Sequence, residues 1–291
     1  MKQRTIKKPV EIVGIGLHKG VPVKLRLEPL GENSGIVFYR SDKGVSIELS
    51  PKNVVDTKMA TVLGKDGVVV STIEHLMSAV YAFGIDNLRI VIDNDEVPIM
   101  DGSAISFVMM IKEAGIEELS ENKKFIKITK EVKIEENGKF ALLKPSEKIS
   151  FDFEINFSHP MIGNQKYYFE FSTKNYIEEI SKARTFGFLK EVQYLRSIGL
   201  ALGGSLENAI ELDDKGILND SLRFPDEFVR HKILDAIGDM SLLGNNFIGE
   251  YKAKASGHHL NHLLTKKVLE EKAYEIVEFN AKEVALAKAF C

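Results

Sequence analysis

Phe228-Val229-Arg230-His231-Lys232-Ile233-Leu234-Asp235-Ala236-Ile237-Gly238-Asp239 is the stretch around which the chain is organised. Pro225, Asp226 and Glu227 precede it and suit the first turn of a helix. Gly244 follows and suits a helix stop. The spacing predicts one helix of roughly four to five turns. His231, Asp235 and Asp239 recur at every fourth position and share one face. Val229, Ile233, Ala236 and Met240 line the opposite face, and Leu234 and Ile237 widen the apolar surface. A helix this apolar packs on more than one side, so its polar stripe faces protein or a cleft. A buried carboxylate is costly unless it is paired, hydrogen-bonded or metal-bound. Two carboxylates and an imidazole in one stripe call for a cation. His231 and Asp235, one turn apart, suit two corners of a zinc site or of another first-row metal. A salt-bridged surface helix carrying a stray histidine is the plainer alternative. The metal reading needs a third ligand from elsewhere in the chain.

Composition narrows the setting. The 291 residues allow one large or two ordinary domains, and 44% hydrophobic with 28% charged residues leaves room for a sizeable core. A net charge of -3 gives no electrostatic case for nucleic acid. The one cysteine, Cys291, cannot form an intrachain disulfide, so any zinc site is expected to use histidine and carboxylate. No apolar run is long enough to span a bilayer. The segment from Met1 to Lys8 is basic, but Glu11 interrupts the apolar stretch behind it, so no signal peptide is expected. A cytoplasmic protein without stable membrane insertion is the default expectation.

Working outward from the central stretch, residues 9 to 50 alternate as strands do, with Val23, Leu25 and Leu27 on one face. Gly14 to Gly20 contains a G-x-G, but no helix follows it, so it reads as a turn with a structural His18. Ser71 to His75 opens a helix with Ile73, Leu76, Met77, Val80 and Phe83 as its apolar stripe, ended by Gly84. On its other face His75 stands among Ser78, Ala79 and Ala82, small residues that let another helix come close. Leu88 to Asp93 reads as a strand and residues 104 to 114 as a helix. Glu118 to Lys124 is a candidate linker. Residues 125 to 171 return to strand patterning, with turns at Asn137-Gly138 and around Pro145. Residues 176 to 184 are expected to be helical, and 186 to 220 are left open by their glycines. Ile248 to Ala255 reads as a strand, His258 to about Ala273 as a helix, and Tyr274 to Phe279 as a last strand. The order of strands, helix, glycine, strand and helix thus occurs twice. The expected fold class is α+β, with domains at 1–120 and 125–291 and an inserted segment near 186–212. Each domain is a mainly antiparallel sheet with two helices on one face, and the helical layers pack together. His75 and His231 fall early in corresponding helices and would meet between those layers.

Single residues admit plain readings. Ser71-x-x-Glu74 is a capping box by spacing. The functional alternative makes His75 the third ligand and Glu74 a base beside the metal. Three protein ligands leave a fourth position open, as in catalytic zinc sites. His258 and His259 stand at a helix start, and the plainer reading is that one of them is simply exposed; in the functional reading a helix start disfavours imidazolium, and a carboxylate such as Asp239 would offset this and keep His258 protonated as a general acid. Lys232, about 100° round the helix from His231, is a candidate for an anionic substrate group or simply a solvated lysine. Thr185 is a candidate oxyanion donor or a local cap. Gly199 to Ser205 is an apolar glycine-rich loop, either lining a lipid passage or an ordinary connection. His159 and His262 read as structural or surface residues.

Together these stretches resemble the zinc-dependent UDP-3-O-acyl-N-acetylglucosamine deacetylases of lipid A synthesis. The motifs are GIGLH (Gly14 to His18), STIEHL (Ser71 to Leu76), GIDN (Gly84 to Asn87) and PIMDGSA (Pro98 to Ala104). They continue as ARTFGF (Ala183 to Phe188), LGGSLENA (Leu202 to Ala209), FVRHKILDAIGD (Phe228 to Asp239) and SGH (Ser256 to His258), in family order over nearly the whole chain. The resemblance implies Zn2+ held by His75, His231 and Asp235, Glu74 as the base that activates water, and His258 as proton donor to the leaving amine. It implies that Asp239 orients His258, that Thr185 helps hold the oxyanion, that Lys232 and Lys139 face the nucleotide diphosphate, and that Phe157 stacks on uracil. Phe186 and residues 190 to 205 would border the acyl-chain passage. Glu191 stands where the family often has the shorter aspartate. The implied partner is an acylated UDP-sugar substrate, with a monomer expected. The implied reaction removes the N-acetyl group to give acetate and a free amine. A non-catalytic module for acylated sugar nucleotides and a zinc amidase for another acylated sugar are the rival readings.

Overall fold

The computed structural model describes residues 1–278 and 288–290. Phe279, the expected end of the last strand, and Cys291 lie outside the described residues. Period-two patterning produces β1 (Lys2–Ile6), β2 (Val10–Ile15), β3 (Pro22–Pro29), β4 (Ile36–Arg40) and β5 (Val45–Glu48). In β3 the alternate residues Val23, Leu25 and Leu27 are buried, as their spacing predicts. Three short strands, β6 (Val54–Asp56), β7 (Val62–Lys65) and β8 (Val68–Val70), pair among themselves. They lead into α1 (Glu74–Ala82), β9 (Leu88–Ile92), α2 (Ile105–Ala114) and β10 (Ile116–Asn122). β9 inserts between β3 and β4, giving the order β2-β3-β9-β4-β5 with only the β4–β9 pair parallel.

The second half begins with β11 (Lys124–Ile128), β12 (Val132–Glu136), β13 (Lys139–Lys144), β14 (Ile149–Asn156) and β15 (Asn164–Glu170). Asn137 and Gly138 both take positive φ, 51° and 75°, and close the β12–β13 hairpin with the backbone its twist needs. A short α3 (Thr173–Asn175) follows, then β16 (Phe186–Phe188), α4 (Leu189–Ser197), β17 (Ile210–Leu212) and α5 (Glu227–Met240). The chain continues through β18 (Phe247–Lys254), α6 (His258–Glu270) and β19 (Tyr274–Glu278). β18 is the hub of the second sheet, antiparallel to β13 and parallel to β11 and β14. This is the expected α+β class. All nine residues of α1 are buried, because α1 packs against both α2 and α5.

Three expectations are corrected. Ser71-x-x-Glu74 is not a capping box. Ser71 is in an extended bridge with Glu96, its N–H donates to the Asp95 carbonyl, and the helix starts at Glu74 itself. Glu74 therefore stands at N1 and cannot reach back to an N–H that is already bonded. The candidate linker Glu118 to Lys124 is instead mostly β10, which pairs antiparallel with β1. Its alternating charges decorate a two-stranded ribbon, and Lys123 at its end is fully buried. Residues 176 to 184 are helical only from Tyr176 to Ile180, as a π-helix running on from α3; Ser181 and Ala183 then donate back to Tyr176 and Ile180 in a closing turn. The open stretch 186 to 220 holds the parallel pair β16–β17 with α4 as its crossover. No residue of α4 is buried.

Candidate active site

Two helices meet at the site. Gly238 on α5 lies against the start of α1, where a Cβ would overlap the Glu74 carbonyl oxygen. That close approach places α1's first turn beside the polar stripe of α5. His75 and His231 come to 5.0 Å between ring centroids, nearly perpendicular. Asp235 Oδ1 lies 3.5 Å from His75 Nε2 and 3.3 Å from His231 Nε2. The ligating atoms of His75, His231 and Asp235 all fall within 4.8 Å of one another, and all three residues are buried.

The surroundings suit a cation. Asp235 Oδ1 is buried and has no hydrogen-bond partner, while Oδ2 accepts from Lys232 Nζ at 3.1 Å. Native proteins seldom leave a buried carboxylate oxygen orphaned. His231 Nδ1 lies 3.0 Å from the Ala183 carbonyl. A carbonyl can only accept, so Nδ1 carries the proton and the Nε2 lone pair faces Asp235. Burial pushes His231 down to about 4, so it is neutral at ordinary pH, as a ligand must be. Burial alone would raise Asp235, but the positive charges that can form beside it, among them the Lys232 ammonium 3.1 Å from Oδ2, hold its carboxyl well below the usual range.

A second pair of groups adjoins the first. His258, at the start of α6, places Nδ1 3.0 Å from Asp239 Oδ2 and Nε2 3.6 Å from Glu74 Oε1. Its side chain keeps 13% of its exposure, against 1% for Asp239. Burial opposes an imidazolium, yet Asp239 and Glu74 outweigh it and push His258 up to about 10. Glu74 is raised above the usual carboxylate range, by burial first and by Asp239 and Asp235 beside it. One carboxylate primed to take a proton thus faces one imidazolium primed to give one.

The remaining expected residues sit around this centre. Thr185 lies two residues beyond the carbonyl that orients His231; its N–H donates to Gly102 and its carbonyl accepts from Ile210. That segment is clamped by buried Glu227, which accepts from the Arg184 backbone and guanidinium and from Arg223 N. Lys232 Nζ stands 5.5 Å from the Phe186 ring centre, and Phe186 packs at 6.4 Å from His231. Phe157 packs on Phe186 at 5.7 Å and on Phe188 at 5.9 Å. Lys139 is exposed on the β12–β13 hairpin, outside this cluster. Its cross-strand partner Glu136 reaches His259 Nε2 at 3.5 Å. His18 caps the Gly14–Gly20 turn through its N–H to Glu96, and His159 Nε2 holds the Asp213 carbonyl at 2.6 Å. A 220 Å³ cleft joins His18 and the apolar Met59, Ala60, Val62 and Val69 to Leu200 of the glycine-rich loop.

Two further residues belong to the site. Thr61 donates from Oγ1 to Asp239 and from its N–H to Glu74, and Asn261 donates to Asp239. Asn261 was missed, although its place three residues after His258, and hence on its face of the helix, was a signal that could have found it. Thr61 carries no signal of its own, because it reaches the site from a loop before β7.

The sequence matches the family described as UDP-3-O-acyl N-acetylglycosamine deacetylase over residues 3–270. It is 81% identical over 291 residues, all of both chains, to a UDP-3-O-acyl-N-acetylglucosamine deacetylase of Nautilia profundicola. Likewise it is 69% identical over 280 residues to the enzyme of that name from Nitratiruptor sp., covering 96% of this chain and 94% of the relative. A Helicobacter pylori enzyme of the same name is 58% identical over 294 residues, with both chains covered in full.

Proposed function

The chain belongs to the UDP-3-O-acyl N-acetylglycosamine deacetylase family, and on that premise we propose that it hydrolyses the N-acetyl group of UDP-3-O-acyl-N-acetylglucosamine at a zinc centre. The products are acetate and the free amine, in lipid A biosynthesis. The observation that carries the zinc assignment is the unpartnered Asp235 Oδ1 facing two imidazole nitrogens. His75, His231 and Asp235 are three nitrogen and oxygen donors, the set found at open catalytic zinc sites. Bound there, the ion supplies a Lewis acid that polarises the acetyl carbonyl and lowers the pKa of the attacking water.

The chain's own groups move the protons. Glu74 takes one from the water as its oxygen bonds to the carbonyl carbon. His258 gives its Nε2 proton to the amine nitrogen as the carbon–nitrogen bond breaks, and acetate departs. Asp239 on Nδ1 keeps His258 turned so that Nε2 presents that proton. Thr185 helps hold the oxygen on which negative charge develops. Lys232 and Lys139 meet the diphosphate, and Phe157 stacks on uracil beside Phe186. The acyl chain runs past Phe186 and residues 190 to 205. The apolar cleft at Leu200 supports that path. No helix among the described residues is long and apolar enough to cross a membrane.

The test is acetate release from the acylated UDP-sugar by metal-free and zinc-reconstituted protein. Turnover that appears with one equivalent of zinc per chain is the expected result. A chain that binds the substrate without releasing acetate at any metal loading is instead a binding module. Release from another acylated sugar alone would point to a different amidase.

A further inference from the structure

Asp239 is bonded on both carboxylate oxygens. Oδ2 takes His258 Nδ1 at 3.0 Å and Asn261 Nδ2 at 2.8 Å, and Oδ1 takes the Thr61 hydroxyl at 2.6 Å. Thr61 is buried, at 1% exposure, so water does not compete for that bond. Its backbone N–H donates to Glu74 Oε2 at 3.1 Å, and its carbonyl accepts from Ile73 N at 3.4 Å, the residue before α1. One residue from a loop therefore touches the base, the carboxylate behind the acid, and the helix start that carries the base.

The terminal torsion of an aspartate is broad, so its two oxygens exchange places unless something holds them. We propose that Thr61 is the positioning residue of the acid–base pair. Its hydroxyl locks Asp239 so that Oδ2 stays on His258 Nδ1. Its amide holds Glu74 Oε2 and leaves Oε1 facing His258 Nε2. The inference rests on the roles given above to Glu74, His258 and Asp239.

Thr61→Val keeps the shape and the backbone amide and removes only the hydroxyl donor. Proton delivery is made in the transition state, so kcat is expected to fall roughly tenfold to a hundredfold while KM stays within about twofold. Zinc content stays at one per chain. The downfield imidazole N–H resonance of His258 in histidine-labelled protein broadens or disappears. Thr61→Ser, which keeps the hydroxyl, recovers most of the lost kcat and restores the resonance. In an Asp239→Asn background Thr61→Val costs nothing more, because the hydroxyl then has no carboxylate to lock. The inference is overturned if folded Thr61→Val keeps its kcat, if Thr61→Ser is as impaired as Thr61→Val, or if the loss persists in full beside Asp239→Asn. If Asp239→Asn alone leaves kcat intact, the acid–base reading itself fails. If Asp239→Asn is impaired and Thr61→Val is not, only the role of Thr61 fails.

Discussion

Asp235 divides its oxygens between two tasks: Oδ2 accepts from Lys232 while Oδ1 meets only the edges of two imidazoles. An unsatisfied buried acceptor costs about 1–3 kcal/mol, which a cation would return. Zinc at a hundredfold excess over its dissociation constant should therefore raise unfolding stability by about 2.7 kcal/mol, read by thermal melting with and without metal. His75→Ala should lose that gain and the bound zinc; stoichiometric zinc in this variant would count against the ligand assignment. Glu74→Ala should keep the zinc and lose about 10²- to 10⁴-fold in kcat, the usual worth of general-base catalysis. The pH profile follows from the two raised groups. In the proposed roles Glu74 must be ionised and His258 protonated, so activity should rise through the elevated pKa of Glu74 and fall through that of His258. With His258 pushed up to about 10, the alkaline limb lies well above an ordinary histidine's. Bound zinc, an added positive charge, draws that limb back down. An alkaline limb that stays unchanged in His258→Gln would remove the assignment.

At the scale of elements, the approach of α1 to α5 hangs on Gly238, whose missing side chain admits the Glu74 carbonyl. Gly238→Ala meets backbone that cannot swing aside. It should cost about 1–3 kcal/mol or more in urea unfolding and disturb zinc binding, because the helices that carry the candidate ligands must separate. A variant as stable as the parent would show that the helices have room to slide. α5 itself was legible from its pattern, since a 3.6-residue period and a polar stripe are local properties. The start of α1 was not. Thr72 takes φ +58°, a position that strains a β-branched residue, and its hydroxyl is tied to Glu96 and Ser71. The capping pattern from Ser71 to Glu74 loses to these tertiary bonds. Glu74 is then released to face Thr61 and His258.

Across the whole molecule the two halves are sewn together behind the site. Lys123, fully buried between β10 and β11, bonds Asp86 and the Gly84 carbonyl just after α1. Asp86 also accepts from Arg4 N at 2.8 Å. Burial pushes Lys123 down and Asp86 up, so each depends on the other. Lys123→Ala strands a buried carboxylate and should cost about 3–5 kcal/mol in denaturant unfolding, while Asp86→Asn with Lys123→Met together should cost less. Tyr176 donates to Ser78 and Asn246 to Tyr81, further ties onto α1 from the second half. Charged sequence around Lys123 reads as a linker because composition reports average polarity, not which lysine meets its counter-ion indoors. The sequence by itself determined the α+β class, the helix that carries His231, Asp235 and Asp239, and through its motifs the family. Each of these is written in short-range periodicity or residue identity. Only the tertiary structure decided which oxygen of Asp235 stays unpaired, that Glu74 turns from a cap toward His258, and that Thr61 bonds both Glu74 and Asp239. Those outcomes depend on angles and contacts between distant segments, 178 positions apart from Thr61 to Asp239, and no local pattern encodes them.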